Sequence, residues 1–212
     1  MTHEVIASSQ ANGIADPVEQ RGARRYTSLI RSAKLVCGQG EFVCVIKDVS
    51  ASGISLRTFH ALPTDPTLAL ELQNGEIYEI EKVRSSGNEG SYKFKEPVEV
   101  ERLIHENWNF PKRQLRLNIF IPVVASTLTK SAEGMTVNLS QQGARLECDE
   151  VFAIDQPVRI KSSAFPETRA TVRWRQDSNY GLVFDNTLSL REFAILAAEV
   201  QCPLLLQDQQ GR

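Results

Sequence analysis

The sequence predicts a mainly β protein in which one module of about 90 residues is present twice. From Tyr26 onward, short segments of alternating apolar residues are separated by turn residues, at a spacing of roughly ten residues that is typical of an antiparallel barrel or sandwich. A polar turn motif also occurs twice, each residue of its second copy lying 90 positions after the first: Asp48-x-Ser50-x-x-Gly53 and Asn138-x-Ser140-x-x-Gly143. Two copies of a closed module form a tandem pair rather than a solenoid.

Hairpin signals divide the first module into strands. Turns that contain glycine lie between apolar segments at 38–40 and 74–75, as expected of β-hairpins. Residues 96–108 change to helical spacing and predict a helix at the end of this module.

In the second module we expect a strand at 117–124. A helix should begin after Ser189, because Ser189 and Glu192 form a capping-box pattern, and it should end before Pro203. It is expected to close the second module or the seam between the modules. Trp108 and Trp174 are expected to pack in a core or in that seam.

The composition excludes several classes of protein. The 212 residues carry a formal net charge of −2, which gives no general attraction to nucleic acid or anionic membranes. Neither a signal peptide nor a long apolar segment is evident, so a cytoplasmic protein without membrane insertion is expected. Four cysteines and three histidines show no zinc-site spacing. No catalytic constellation is present, so we expect no enzyme, metal or cofactor.

The candidate binding residues lie in two groups in the first module. Arg21 and Arg25 belong to a basic segment with no acidic residue before Glu41. They precede the turn with Asp48 and Ser50, short side chains that hydrogen-bond local backbone. Arginine binds phosphate with a planar, bidentate fork, so this combination suits an anionic ligand that also has base edges. Gly53 of the same turn is expected either to take a positive φ or to let a ligand approach the backbone.

The order RxxxR followed by DxSxxG resembles the paired motifs of PilZ domains, which are bacterial receptors for cyclic di-GMP. The resemblance implies two tandem small antiparallel β-barrels, each followed by a helix. It also implies that Arg21 and Arg25 clamp the phosphates and guanine edges, and that Asp48, Ser50 and Gly53 contact guanine. Arg24 and Arg31 are candidates for auxiliary contacts.

The second module departs from this pattern. Lysine replaces the first arginine, and a neighbouring arginine is displaced by one position, so its set is Lys112, Arg113, Arg116, Asn138, Ser140 and Gly143. Lysine keeps the charge but loses the fork and the stacking plane. This set is therefore only a second, weaker candidate site, and the competing role of the module is structural: packing on the first module, dimerising or contacting a downstream target. Alternatively, the turn residues are present because the barrel needs the turn.

These observations divide the chain into a flexible arm (1–20), a first domain (21–108) and a second domain (109–212). The hypothesis is a cyclic di-GMP receptor that holds nucleotide mainly in the first domain and signals through an unidentified downstream protein. In the family, such signals act on motility and biofilm formation. One alternative is a PilZ-fold protein adaptor that has lost nucleotide binding in one or both domains. Nucleic-acid binding through the basic arm is a weaker alternative, and homodimerisation stays open.

Overall fold

The structure, a computed structural model, describes residues 26–104 and 114–207 and the side chains of most of them. It contains two closed six-stranded antiparallel barrels, each followed by a helix, which confirms the predicted fold class. The strand order is β1-β2-β3-β6-β5-β4 in the first barrel and β7-β8-β9-β12-β11-β10 in the second. The elements of the first barrel are β1 (Tyr26–Cys37), β2 (Gly40–Val49), β3 (Gly53–Arg57), β4 (Thr67–Glu71), β5 (Ile77–Ser86), β6 (Glu89–Phe94) and α1 (Val100–Ile104). Those of the second are β7 (Pro122–Ser126), β8 (Ser131–Ser140), β9 (Gly143–Cys148), β10 (Pro157–Lys161), β11 (Thr168–Gln176), β12 (Asn179–Phe184), α2 (Leu190–Gln201) and α3 (Leu204–Gln207).

The predicted repeat extends to the irregularities of the two sheets. A bulge lies between Ile46 and Asp48 in the β2–β3 pairing, and another between Thr136 and Asn138 in the β8–β9 pairing. A second pair of bulges lies between Lys82 and Arg84 in the β5–β6 pairing and between Val172 and Trp174 in the β11–β12 pairing. In each pair, the bulge of the second barrel lies 90 positions after the bulge of the first. Because bulges are retained as features of a fold rather than defects, the two barrels are copies of one design.

The strand β2 is buried on both sides. Residues 42–46 form an uninterrupted buried run, whereas a barrel strand with one solvated face would alternate. Phe42 and Cys44 belong to the core of the first barrel, but Val43 packs with the core of the second. The apolar run therefore marks the strand that faces the other barrel.

The strand predicted at 117–124 is shorter and later than expected. Leu117 forms an isolated bridge with Leu139, and β7 begins at Pro122. Between them, the buried Thr136 hydroxyl accepts a hydrogen bond from the Ile121 N–H (2.8 Å) and donates one to the Ile119 carbonyl (2.7 Å). A side chain thus replaces part of the backbone ladder beside the Thr136–Asn138 bulge.

The helix α2 begins with the predicted capping box. Ser189 Oγ accepts from the Glu192 N–H, and the Glu192 carboxylate accepts from the Ser189 N–H. Phe193 and Ala197 pack in the core of the second barrel, while Ala198 packs in the core of the first. The helix therefore closes the second barrel and fills the seam, as the sequence analysis expected.

A polar network also crosses the seam at Glu41. Its carboxylate accepts from the backbone N–H of Asn118 (2.7 Å) and from Asn118 Nδ2 (2.8 Å). The side-chain amide of Gln201 in α2 binds the Glu41 backbone twice. Gln201 Oε1 accepts from the Glu41 N–H (2.9 Å), and Gln201 Nε2 donates to the Glu41 carbonyl (2.6 Å). Lys34, only 5% exposed, lies 3.3 Å from Glu41 and 2.8 Å from Glu71. Two carboxylates thus compensate the buried ammonium, whose desolvation is costly when unpaired.

Over the described ranges, none of the helices has the length and apolar character needed to span a bilayer.

Replacing Thr136 by valine should destabilise the protein by about 1–3 kcal/mol, because Ile121 N–H and Ile119 C=O would lose a buried partner. The free energy of unfolding from urea denaturation measures this. Thr129→Val is the matched control, since Thr129 is exposed and its side chain should contribute less than about 0.5 kcal/mol. Equal effects of the two substitutions would contradict the role given to the Thr136 hydroxyl.

Burial lowers the pKa of His60 below its usual value, and the ring packs edge-on against Phe42. The folded protein therefore favours neutral His60, while the unfolded chain binds a proton more readily. As a result, His60 does not reduce the free energy of unfolding above about pH 6.5, and it reduces that free energy as the pH falls below 6.5. His60→Gln should reduce the decline of unfolding free energy between pH 7 and pH 5, by at most about 1.4 kcal/mol per pH unit. An unchanged slope would show that other groups cause the decline.

Candidate ligand-binding corners

Two equivalent turns are the candidate sites. The first corner (Asp48, Ser50 and Gly53) joins β2 to β3, and the second corner (Asn138, Ser140 and Gly143) joins β8 to β9. In the first corner, the Ser50 N–H donates to the Gly53 carbonyl (2.8 Å), and the Gly53 N–H donates to Ser50 Oγ (3.2 Å). In the second, Ser140 Oγ donates to the Gly143 carbonyl (3.2 Å). Both serines are buried and close their turns, so their first role is structural.

At the glycine of each corner, a neighbouring strand lies too close to leave room for a side chain. Neither Gly53 nor Gly143 is among the described residues with positive φ, so of the two alternatives given for Gly53, a positive φ is excluded. A Cβ added to Gly53 would lie 2.9 Å from the Tyr92 carbonyl oxygen of β6, and one added to Gly143 would overlap the Leu182 carbonyl oxygen of β12. Each glycine therefore permits a close backbone approach that completes the barrel.

The first residue of each corner follows a bulge, which turns its side chain relative to the regular pleat. Asp48 is half-buried, and no hydrogen bond or ion pair between described residues engages its carboxylate. At the second corner, Asn138 Oδ1 accepts from Arg116 Nη1 at 3.2 Å. The arginine at the second position of the KxxxR segment thus reaches the corner.

Several predicted residues lie outside the described ranges 26–104 and 114–207: Arg21, Arg24, Arg25, Lys112, Arg113 and Trp108. Arg31, the other candidate for an auxiliary contact, donates from Nη1 to the Leu103 carbonyl of α1 at 2.9 Å. This contact ties the start of the first barrel to its helix.

Sequence reasoning missed a row of side chains beside the second corner. Cross-strand pairing places Asn138 opposite Arg145, Arg145 opposite Gly181, and Gly181 opposite Trp174. The Trp174 indole lies against the bare backbone of Gly181 and is 40% exposed, so the expectation that it packs in a core or seam is wrong. Arg145 is held by a hydrogen bond from Nε to Asn179 Oδ1 (3.0 Å).

The corresponding row of the first barrel is more polar. Asp48 pairs with Ser55, Ser55 with Ser91, and Ser91 with Arg84. Arg84 and Trp174 are 90 positions apart, and this offset is the signal that could have found both rows. The second corner therefore has an aromatic ring where the first has a guanidinium group.

Other features of the described residues lie away from the corners. A groove of about 570 Å³ is lined by residues of β5, β6 and α1, including Tyr78, Phe94 and Arg102, and by none of the corner residues. Within 26–104 and 114–207, no group of three or more His, Cys, Asp or Glu side chains is arranged to hold a metal ion.

Comparison with known protein families matches residues 111–201 to the family described as PilZ domain. This range runs through β7 to α2 and so covers the whole second barrel. The second barrel is therefore similar to PilZ domains over its whole length. The first barrel shares the strand order, corner motif and bulges of the second. A search of curated proteins gave no match.

Three solved structures similar to this chain come from different bacteria. PlzA of Borreliella burgdorferi, in complex with cyclic di-GMP, is 12% identical, with 85% of this chain and 94% of that chain covered and a TM-score of 0.32. The Bacillus subtilis inhibitor of motility, MotI, is 11% identical, with 86% and 98% covered and a TM-score of 0.34. YcgR of Escherichia coli, in complex with cyclic di-GMP, is 10% identical, with 86% of each chain covered and a TM-score of 0.28.

Gly143→Ala should destabilise the protein by about 2 kcal/mol or more, because the added methyl group overlaps the Leu182 backbone, which cannot move without opening the barrel. Gly53→Ala should cost less, about 1 kcal/mol, since its contact is less severe. Gly38→Ala is the control, because its Cβ would meet only the end of the Asp65 side chain at 3.3 Å. Urea denaturation gives all three values, and an equal cost at Gly38 and Gly143 would contradict the close-approach role.

Proposed function

We propose that this protein is a bacterial cytoplasmic receptor for cyclic di-GMP that has no catalytic chemistry of its own. In this proposal the first corner, together with Arg21 and Arg25, holds the nucleotide. The observation that carries it is the contact between Arg116 and Asn138 in the second barrel. Arg25 precedes the first corner almost as Arg116 precedes the second, at offsets that differ by one residue. An arginine segment that reaches one corner is therefore expected to reach the other.

The chemistry of the first corner suits guanine and phosphate. The Asp48 carboxylate can accept from guanine N1–H and N2–H, while guanidinium groups donate to O6 and N7. The two phosphates form charge-assisted hydrogen bonds with arginine, which are about twice as strong as neutral ones. Since no hydrogen bond or ion pair from residues 26–104 or 114–207 engages the Asp48 carboxylate, a ligand can pair with it without displacing a contact to these residues.

The second corner is proposed as the weaker site. Its amide is already engaged by Arg116, and Lys112 cannot supply a bidentate fork. Two neighbours offset these losses in part: the exposed face of Trp174 can stack on a base, and Arg145 adds a positive charge beside it. We therefore expect the second corner to bind nucleotide, but with lower affinity than the first.

The seam offers a route from nucleotide to output. Arg116 and Asn118 lie on the outer side of one extended segment, and Asn118 is bound to Glu41 of the first barrel. A ligand that draws Arg116 away from Asn138 also displaces Asn118, so the two corners are coupled through Glu41 and α2. The downstream protein would recognise the resulting arrangement of the two barrels.

Isothermal titration with cyclic di-GMP tests the proposal. Arg21→Ala, Arg25→Ala and Asp48→Ala should each weaken the tighter binding step at least about tenfold, the loss expected when a charge-assisted pair is removed. Lys112→Ala and Arg116→Ala should leave that step nearly unchanged and affect only a weaker one. Arg57→Ala is the control, because Arg57 is an exposed arginine of the first barrel outside its corner.

Absence of heat with the folded, intact chain would reject the receptor and favour the adaptor. Loss of the tighter step in Arg116→Ala but not in Arg25→Ala would move the main site to the second corner. Salt-sensitive binding to random DNA, without preference for the cyclic dinucleotide, would favour a nucleic-acid role.

A further inference from the structure

An apolar stripe runs along the outside of the second barrel. From residue 114 to residue 125, side chains alternate strictly between exposed and buried, so every second residue lies on the outer surface. Phe120 (63% exposed), Pro122 and Val124 (37% exposed) follow one another on this side. Met135 of β8 is paired with Pro122 and is also exposed. We call these four residues the β7 stripe.

Opposite charges lie on either side of the stripe. Val124 is paired with Glu133 of β8 on one side and with Lys161 of β10 on the other. Both charged residues are exposed, and neither takes part in an ion pair among the described residues. The outer surface thus presents negative charge, apolar side chain and positive charge in one row across three strands.

This row is complementary to itself. Under a twofold axis that runs along β7 in the plane of contact, each residue of β7 faces its own copy, and the two flanking strands exchange places. Glu133 of one protomer then faces Lys161 of the other, and the reverse pair forms on the far side. Val124 faces Val124 at the centre. Twofold interfaces have this self-complementary arrangement, and opposed charges at the rim fix the register of such contacts.

We propose that the β7 stripe is the surface through which two copies of this chain associate as a twofold dimer. The occupant is a second copy because the charges on both sides of the stripe are matched by the same surface, turned over. The contact is confined to β7 and its two neighbouring strands, and small contacts of this kind give weak or transient association. The dimer is therefore concentration-dependent. The dimer needs no nucleotide, so a failure of the proposed receptor function would not affect this proposal.

Sedimentation velocity on the full chain, from low micromolar to several hundred micromolar protein, tests the dimer. The wild-type chain should shift from monomer to dimer across this range. Glu133→Lys and Lys161→Glu should each raise the dissociation constant about tenfold or more, because each places like charges opposite each other. The double variant restores opposite charges and should return the constant to within about threefold of the wild-type value. Glu96→Lys, the same charge change on an exposed residue of the first barrel, is the control.

A second pair of variants separates a symmetric dimer from other partners. Because Val124 faces its own copy, Val124→Lys and Val124→Glu should both abolish the dimer, each by self-repulsion. Circular dichroism establishes that these variants fold. A monomer at every concentration, failure of the double variant to restore association, or tolerance of one sign of charge at Val124 would each overturn the proposal.

Discussion

Both barrels depend on a close backbone approach at the glycine of the corner motif. Gly143 lies so near the Leu182 carbonyl, and Gly53 so near the Tyr92 carbonyl, that a side chain at either position would separate strands that must pair to close the barrel. The preceding serine fixes the turn with its hydroxyl group. Serine and glycine of the motif are thus demanded by the fold before any ligand is considered. A corner can keep both and bind nothing, so the capacity for binding has to be judged from the other residues.

The first residue of the motif is not fixed by the fold in this way, so it can differ between a corner that binds a ligand and one that does not. It follows a bulge in both barrels, and the bulge turns its side chain out of the regular alternation. In the first barrel it is a carboxylate with no described partner, and in the second it is an amide that holds Arg116. The same backbone therefore presents two different chemical groups. The proposal that the tighter site is at Asp48 rests on this difference, since the backbones of the two corners do not distinguish them.

Local signals in the sequence were sufficient for the parts of the fold that are local. The turns at 38–40 and 74–75, the 90-residue offset and the Ser189 capping box are set by neighbouring residues, and the structure contains all of them. The strand predicted at 117–124 begins later than expected, at Pro122, because the side chain of Thr136, distant in sequence, replaces part of its ladder. The row through Arg145 and Trp174 was missed for a similar reason, because it exists only once four strands are in register. The arginine segments Arg21–Arg25 and Lys112–Arg113 lie outside the described ranges, so their placement is still a prediction.

The seam explains why two copies of one module need not behave alike. Val43 and Glu41 belong to the first barrel, yet Val43 packs in the core of the second barrel, and Glu41 is bound by Gln201 of α2 and by Asn118. A residue two positions from Asn118 holds the second corner, whereas the first corner lies at the far end of β2, seven residues from Glu41. Any movement of Arg116 therefore acts on the seam directly, and a movement at Asp48 has to pass along β2. The second corner is better placed to transmit a change, and the first is better equipped to bind. These contacts are the basis for the proposal that the first corner binds nucleotide more tightly and that the second, besides binding it more weakly, passes the change to the seam.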